Sequence, residues 1–291
     1  MTSPQLRGEL KARLARHPRL YNTAKRARRL VRASSRWRQR SPKPIAKAPA
    51  ESRLVPSPVF VISSVRSGST LLRVILNTHP DICAPHELHL RCLRVEFEKR
   101  YAEIAFKELG IDKDELEHLL WDRVLHHELS RSGKRIFVDK TPGNANVYER
   151  LATCWPNARF IFLLRHPASI VASLMETRPD RELEPTINEA LTYLKGVEAA
   201  KQALPGLVVR YEDLTDDPAR VTKEICRFLG IRWDARMLDY GQSKHGKFRP
   251  FIGDWSSKIR SGRIQEGRPL PDPEEVPEEV RPYARSWGYM T

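Results

Sequence analysis

Val59-Phe60-Val61-Ile62-Ser63-Ser64-Val65-Arg66-Ser67-Gly68-Ser69-Thr70-Leu71-Leu72 joins an apolar, β-branched run to a small, polar, basic turn, after which apolar residues recur at Leu71, Leu72, Ile75 and Leu76. The pattern predicts a strand, a tight loop and a helix. Such a loop aims several backbone N–H groups and the positive end of a helix dipole at one point. Arg66 adds a fixed charge, and Ser67, Ser69 and Thr70 add hydroxyl donors, so the segment suits a phosphate-like anion. The plain alternative is a strand–turn–helix corner that holds no ligand.

The loop is not a nucleoside-triphosphate loop of the pattern G-x-x-x-x-G-K-[ST]. With Gly68 as the second glycine, Ser63 stands in place of the first and Ser69 in place of the lysine, while Thr70 keeps the hydroxyl position. Without the lysine, charge on β- and γ-phosphates is poorly matched. A ligand with one 5′ phosphate-type group remains well suited.

Outward from this stretch, apolar runs alternate with helical patterns. Helices are expected near 92–110, 112–130, 144–154, 167–175, 184–204 and 218–229, and strands at 135–139, 158–164 and 207–210. On the 112–130 helix, Leu116, Leu119, Leu120, Val124 and Leu125 are expected to form the buried stripe. The alternation predicts an α/β fold with a central, mainly parallel sheet flanked by helices. Ligands in such folds gather at the carboxyl ends of the strands.

The chain has 291 residues and a formal charge of +15, but the charge is uneven. Residues 1–55 carry sixteen basic and two acidic residues, +14; the remaining 35 basic and 34 acidic residues give +1. The expected organisation is therefore a basic N-terminal arm with a proline-rich linker (1–57) and a nearly neutral body (58–291). The arm, helical or disordered, suits an anionic membrane surface. A solvated tail is the bland reading, and nucleic acid is disfavoured because no aromatic-interleaved module accompanies the charge. Cys83, Cys92, Cys154 and Cys226 show no metal-ligand spacing, so free thiols in a reducing cytoplasm and no metal site are expected. No transmembrane run or signal peptide is apparent. The expected location is cytoplasmic, with peripheral attachment at the inner membrane open. The oligomeric state is not readable.

Other polar clusters fall at predicted strand ends. The 158–164 strand leads into Arg165-His166-Pro167, with Ser173 eight residues on. An arginine there can clamp a phosphate bidentately, and a serine two turns into the next helix can reach the same anion. Lys140, in Asp139-Lys140-Thr141-Pro142, is placed to meet negative charge developing during a transfer. Transfer to a hydroxyl also needs a base, and Pro85-His86-Glu87-Leu88-His89 offers three candidates.

Arg66-Ser67-Gly68-Ser69-Thr70-Leu71-Leu72 resembles the 5′-phosphosulfate loop of sulfotransferases that use 3′-phosphoadenosine 5′-phosphosulfate (PAPS), most closely their bacterial and tyrosylprotein branches, and the resemblance runs from about Pro58 to about Arg263. It implies a P-loop-like sulfotransferase fold and transfer of a sulfuryl group from PAPS to an acceptor hydroxyl on a carbohydrate, lipid or small metabolite, with no metal. It implies that residues 66–71 hold the 5′ end, that Arg165 and Ser173 hold the 3′-phosphate, and that Tyr211 of Tyr211-Glu212-Asp213 packs by the adenine. It makes Glu87 the base, with His86 or His89 as alternatives, and Lys140 the stabiliser of transition-state charge. It offers Lys258 and Arg263, in a basic glycine-containing segment, as further 3′-phosphate ligands. Two other readings stay open: a P-loop nucleotide or small-molecule kinase, and a non-catalytic membrane or nucleic-acid adaptor acting through the arm.

Overall fold

A computed structural model of the chain describes residues 53–243, 245 and 257–291, all within one compact unit running from Lys47 to Thr291. The expected arm, most of the linker and the segment around Trp255 lie outside the described residues.

Strands β1 (Val59–Ser63), β2 (Ile82–Cys83), β3 (Ile136–Asp139), β4 (Arg159–Leu164) and β5 (Gly206–Arg210) form one sheet in the order β2-β3-β1-β4-β5. Every pairing is parallel. The crossovers contain helices α1 (Ser69–Thr78), α2 (Arg100–Glu108), α3 (Lys113–Ser132), α4 (Tyr148–Cys154), α5 (Pro167–Thr177) and α6 (Leu183–Ala203). Beyond β5 come α7 (Tyr211–Asp216), α8 (Pro218–Leu229), α9 (Ser257–Arg260) and α10 (Arg281–Ser286).

A strand buried on both faces must be apolar at successive positions, and all five residues of β1 are buried. Side chains alternate between the two faces. Phe60 and Ile62 join a core with Trp121, Trp155, Phe162 and Leu194. Val59 and Val61 join the opposite core with Leu72, Ile75, Leu163 and Ile225. β1 lies between β3 and β4, so the loops that leave all three strands emerge side by side at one edge.

Two expectations are corrected. The helix expected over 92–110 is only Arg100–Glu108. Residues 93–99 run in irregular backbone, where Val95 N–H donates to Glu117 Oε1 at 3.1 Å and Arg94 donates to Glu117 Oε2 at 2.9 Å. A buried carboxylate captures backbone and side-chain donors and holds the segment away from helical geometry. The second correction concerns the buried face of α3. Leu119 and Leu120 are 42% and 39% exposed, whereas Glu117, His118, Trp121, Asp122 and Leu125 are buried. Apolar spacing alone does not show this, because the inward polar groups are satisfied: Asp122 accepts from the N–H groups of Leu54 and Val55 and from Trp155 Nε1. Arg53 also reaches Glu115 at 3.0 Å, which ties the chain just before β1 to α3.

Candidate active site

The turn between β1 and α1 is wound tightly around backbone. Gly68 has φ +80° and Arg66 φ +58°, both in the left-handed region that favours glycine. Ser67 Oγ donates to the Ser64 carbonyl at 2.6 Å, and Leu72 N–H donates to the Gly68 carbonyl at 3.1 Å. Gly68, at the cap position of α1, offers no side-chain acceptor, so the first turn of the helix directs its N–H groups into the loop. Gly68 is needed twice over. Beyond its φ, a Cβ there would lie 2.2 Å from the Tyr211 ring.

All five residues of β1 are in register with Arg159–Leu163 of β4, which brings Arg165 next to this turn. Arg165 donates to the Arg66 carbonyl at 2.7 Å, and its guanidinium lies 4.5 Å over the Tyr211 ring. Arg66 Nε donates to Ser173 Oγ at 3.2 Å. Arg66, Arg165, Ser173 and Tyr211 therefore form one contiguous cluster. Burial lowers the Arg165 pKa, with Arg66 and Arg268 adding repulsion against the pull of Tyr211 and Glu212. Arg165 Nε is buried and finds no hydrogen-bond partner among the described residues. A buried, unpaired guanidinium N–H among like charges is a site prepared for an anion.

β3 delivers the third wall. Lys140 is 1% exposed. Its Nζ donates to Thr70 Oγ1 at 3.3 Å and forms a hydrogen-bonded ion pair with Glu87 Oε1. Burial pushes the Lys140 pKa down, and Glu87 opposes that shift. The other carboxylate oxygen of Glu87 faces His89 Nε2 at 3.4 Å. His89 has φ +50°, and its N–H donates to Thr141 Oγ1 at 3.4 Å. Thr141 and Asn144 in turn donate to the fully buried Asp139, whose pKa burial raises. Arg73, also buried, has its pKa lowered to about 10 by desolvation, offset in part by Glu87. One carboxylate and one ammonium thus meet beside Thr70 of the β1–α1 turn.

The family model of the sulfotransferase family matches residues 58–235, which include the loop, the Glu87–Lys140 pair, Arg165 and Ser173. The chain belongs to the sulfotransferase family. Curated relatives of this sulfotransferase include the nodulation protein NoeE of Sinorhizobium fredii, 36% identical over 129 residues (40% of this chain, 31% of NoeE). Protein-tyrosine sulfotransferase 1 of Danio rerio is 24% identical over 199 residues (62% of this chain, 55% of the relative). The matched regions thus span about a third to a half of those two relatives. Among solved structures, the sulfotransferase domain from the Synechococcus PCC 7002 olefin synthase has a TM-score of 0.62 at 22% identity, covering 87% of this chain and 100% of that one. The sulfotransferase domain from the curacin biosynthetic pathway has a TM-score of 0.58 at 23% identity, covering 80% and 98%. Both share the fold, a parallel sheet flanked by helices.

The sequence-predicted residues do not all come together. Arg66 to Thr70, Arg165, Ser173 and Tyr211 cluster at the β1–α1 turn, and Glu87, Lys140 and His89 meet beside Thr70, while Leu71 packs at the edge of the core beneath the loop. Arg263 lines a separate cavity of 610 Å³ with Pro218, Asp239 and Gln242. Lys258 belongs to α9, and its side chain lies outside the described residues. Asp217 caps α8, accepting from Arg220 N–H at 2.9 Å. Glu212 accepts from His166 N–H and from the Tyr289 hydroxyl. Arg268, paired with Glu176 one turn beyond Ser173, is not legible from sequence. Its segment is rich in proline and charge and gives no periodic signal.

No helix among the described residues is long and apolar enough to cross a membrane. No metal-ligand cluster is found among them either.

Proposed function

We propose that this sulfotransferase moves a sulfuryl group from PAPS to an acceptor hydroxyl. The observation that carries the reading is the convergence of Arg66 and Arg165, from loops after adjacent strands, on the same β1–α1 turn whose Thr70 accepts from Lys140, itself paired with Glu87. The residues present fit such a donor. The unpaired Arg165 Nε suits a 3′-phosphate, and the uncapped first turn of α1 offers its N–H groups to a 5′ phosphate group. When bound, the donor supplies an activated sulfuryl group with adenosine 3′,5′-bisphosphate as the leaving species.

Arg66, Ser67, Gly68, Ser69 and Thr70 hold the 5′ end. Arg165 and Ser173 hold the 3′ end. Tyr211, sandwiched between Gly68 and the Arg165 guanidinium, supports the adenine side. Glu87 removes the acceptor proton. Lys140 then offsets the negative charge that develops next to Thr70. His89, on the second oxygen of Glu87, orients the carboxylate toward the acceptor.

Titration calorimetry with adenosine 3′,5′-bisphosphate and with ATP tests the donor. Preference for the bisphosphate is expected, and tighter ATP binding would favour a kinase and overturn the reading. Incubation with labelled PAPS and a cell extract then identifies the acceptor from the labelled product.

A further inference from the structure

Exposed apolar side chains are concentrated on one stretch of the body. Among the described residues nine large apolar side chains are exposed, and five of them, Tyr101, Ile104, Leu109, Leu119 and Leu120, fall within residues 101–120. A sixth, Leu54, donates its N–H to Asp122 on α3. α2 has no buried residue. Tyr101 and Ile104 are neighbours on one side of it and are 73% and 50% exposed, while Phe106 turns the other way and packs on Phe97. Arg100 and Lys107 are exposed beside this face, and Glu108 is its one acidic group. α3 begins after the short connection 109–112 and turns Leu119, Leu120 and Arg123 outward. Leu119 and Leu120 are the leucines whose spacing predicted burial.

We propose that the outward faces of α2 and α3 dock on an anionic lipid bilayer, with the basic N-terminal residues as the electrostatic half of the contact. The charge balance selects that partner. Residues 1–55 carry +14 and the rest of the chain +1, so the body has no surplus of acid to neutralise them. They join the body at Arg53, which donates to Glu115 in the first turn of α3 at 3.0 Å and to the Cys154 carbonyl at 2.9 Å. Glu115 precedes Leu119 by one helical turn, on the same side of α3. Lys47 stands six residues before Arg53, a tether of at most about 22 Å. The positive charge is therefore anchored beside the apolar face. An apolar protein partner would cover the leucines and leave that charge unmatched, and a second copy would bring its own +15 against it. A bilayer answers both features: apolar side chains enter the headgroup–acyl boundary while Lys and Arg meet anionic headgroups. The inference goes beyond the sulfuryl-transfer reading and does not depend on it.

Sedimentation of the full chain with phosphatidylcholine vesicles, with and without phosphatidylglycerol, tests this. Binding to the phosphatidylglycerol vesicles is expected, with much weaker binding to phosphatidylcholine alone. The double variant Tyr101→Ser, Ile104→Ser and the double variant Leu119→Ser, Leu120→Ser are each expected to lower the partition coefficient at least about tenfold. A cooperative melt retained in both shows that the fold is intact, as exposed positions allow. Failure of the unmodified chain to pellet with the anionic vesicles overturns the proposal. Unchanged partitioning in either double variant does so too, because the basic residues then bind without that face. Sedimentation velocity on the same proteins covers the rival occupant: a dimer that either double variant dissolves gives the face to a second copy and overturns the bilayer. Failure of the donor reading leaves all these outcomes untouched, since the vesicle assay contains no nucleotide.

Discussion

Lys140 and Glu87 form a buried ion pair whose ammonium also touches the Thr70 hydroxyl. The proton acceptor and the charge stabiliser proposed for one reaction are therefore held by each other before a substrate arrives. Replacing Glu87 by Gln keeps the shape and a hydrogen bond to Lys140 but removes the base. Turnover is expected to fall by about 10²–10⁴, while the affinity for adenosine 3′,5′-bisphosphate stays within about threefold. Labelled-sulfate transfer and calorimetry on the same preparation check this, and near-normal turnover would exclude Glu87 as the base. Lys140→Met leaves the partly buried Glu87 carboxylate without its ammonium partner and is expected to lower stability as well as rate.

Gly68→Ala tests the loop itself. The substitution places a methyl group 2.2 Å from the Tyr211 ring and forces an L-residue to φ +80°. Tyr211 must move, and with it the ring under Arg165. Bisphosphate affinity is expected to drop at least about tenfold, with about 1–3 kcal/mol lost from stability. A cavity-forming partner change, Tyr211→Ala, relieves the clash in the double variant. Recovered stability without recovered affinity would separate steric fit from the binding contribution of the ring.

Arg165→Lys probes the 3′ end. Arg165 simultaneously donates to the Arg66 carbonyl and stacks on Tyr211, with Nε left over for a ligand. A lysine has no planar fork and cannot do all three. The loss of a charge-assisted hydrogen bond of about 1.5–3 kcal/mol corresponds to about 10–100-fold in bisphosphate affinity. AMP binding is expected to change less than about threefold. Equal losses for both nucleotides would place Arg165 at the loop rather than at the 3′-phosphate.

The parts of this molecule legible in the sequence are those governed by local rules. β1 and β4 are continuous apolar runs, the turn at Arg66–Thr70 has residues that only such a turn requires, and Pro167 and Pro218 start helices. The strand-end rule then put Arg165 and Lys140 near the loop. The illegible parts depend on long-range satisfaction of polar groups. Nothing in the spacing of α3 announces that Glu117 and His118 turn inward, because their partners Arg94 and Arg150 come from a segment before α3 and from α4. Two-residue β2 is too short for a periodic signal. Arg268 lies 92 residues beyond its partner Glu176, a distance across which no local pattern carries information.

That same inward-facing network predicts an acid-sensitive fold. His118 is 1% exposed, accepts a hydrogen bond at Nε2 from Arg150 Nε at 3.1 Å, and is repelled by Arg150 and Arg53 in its charged form. Desolvation first, and those two guanidinium groups second, lower its pKa from 6.5 to about 4. The unfolded chain, with an ordinary imidazole, takes up a proton near pH 6.5 that the folded protein refuses until about pH 4. Between those values the unfolded state binds more protons, so stability declines as pH falls, by up to about 1.4 kcal/mol per unit for this group. Glu117, paired with Arg150 and Arg94, has a lowered pKa and adds its own loss at lower pH, as the carboxylate protonates. Urea midpoints measured at about pH 7 and about pH 5 should differ clearly in the unmodified protein. They should differ much less in His118→Gln, which can still accept from Arg150 but cannot titrate. Parallel declines in both proteins would assign the acid sensitivity to groups other than His118.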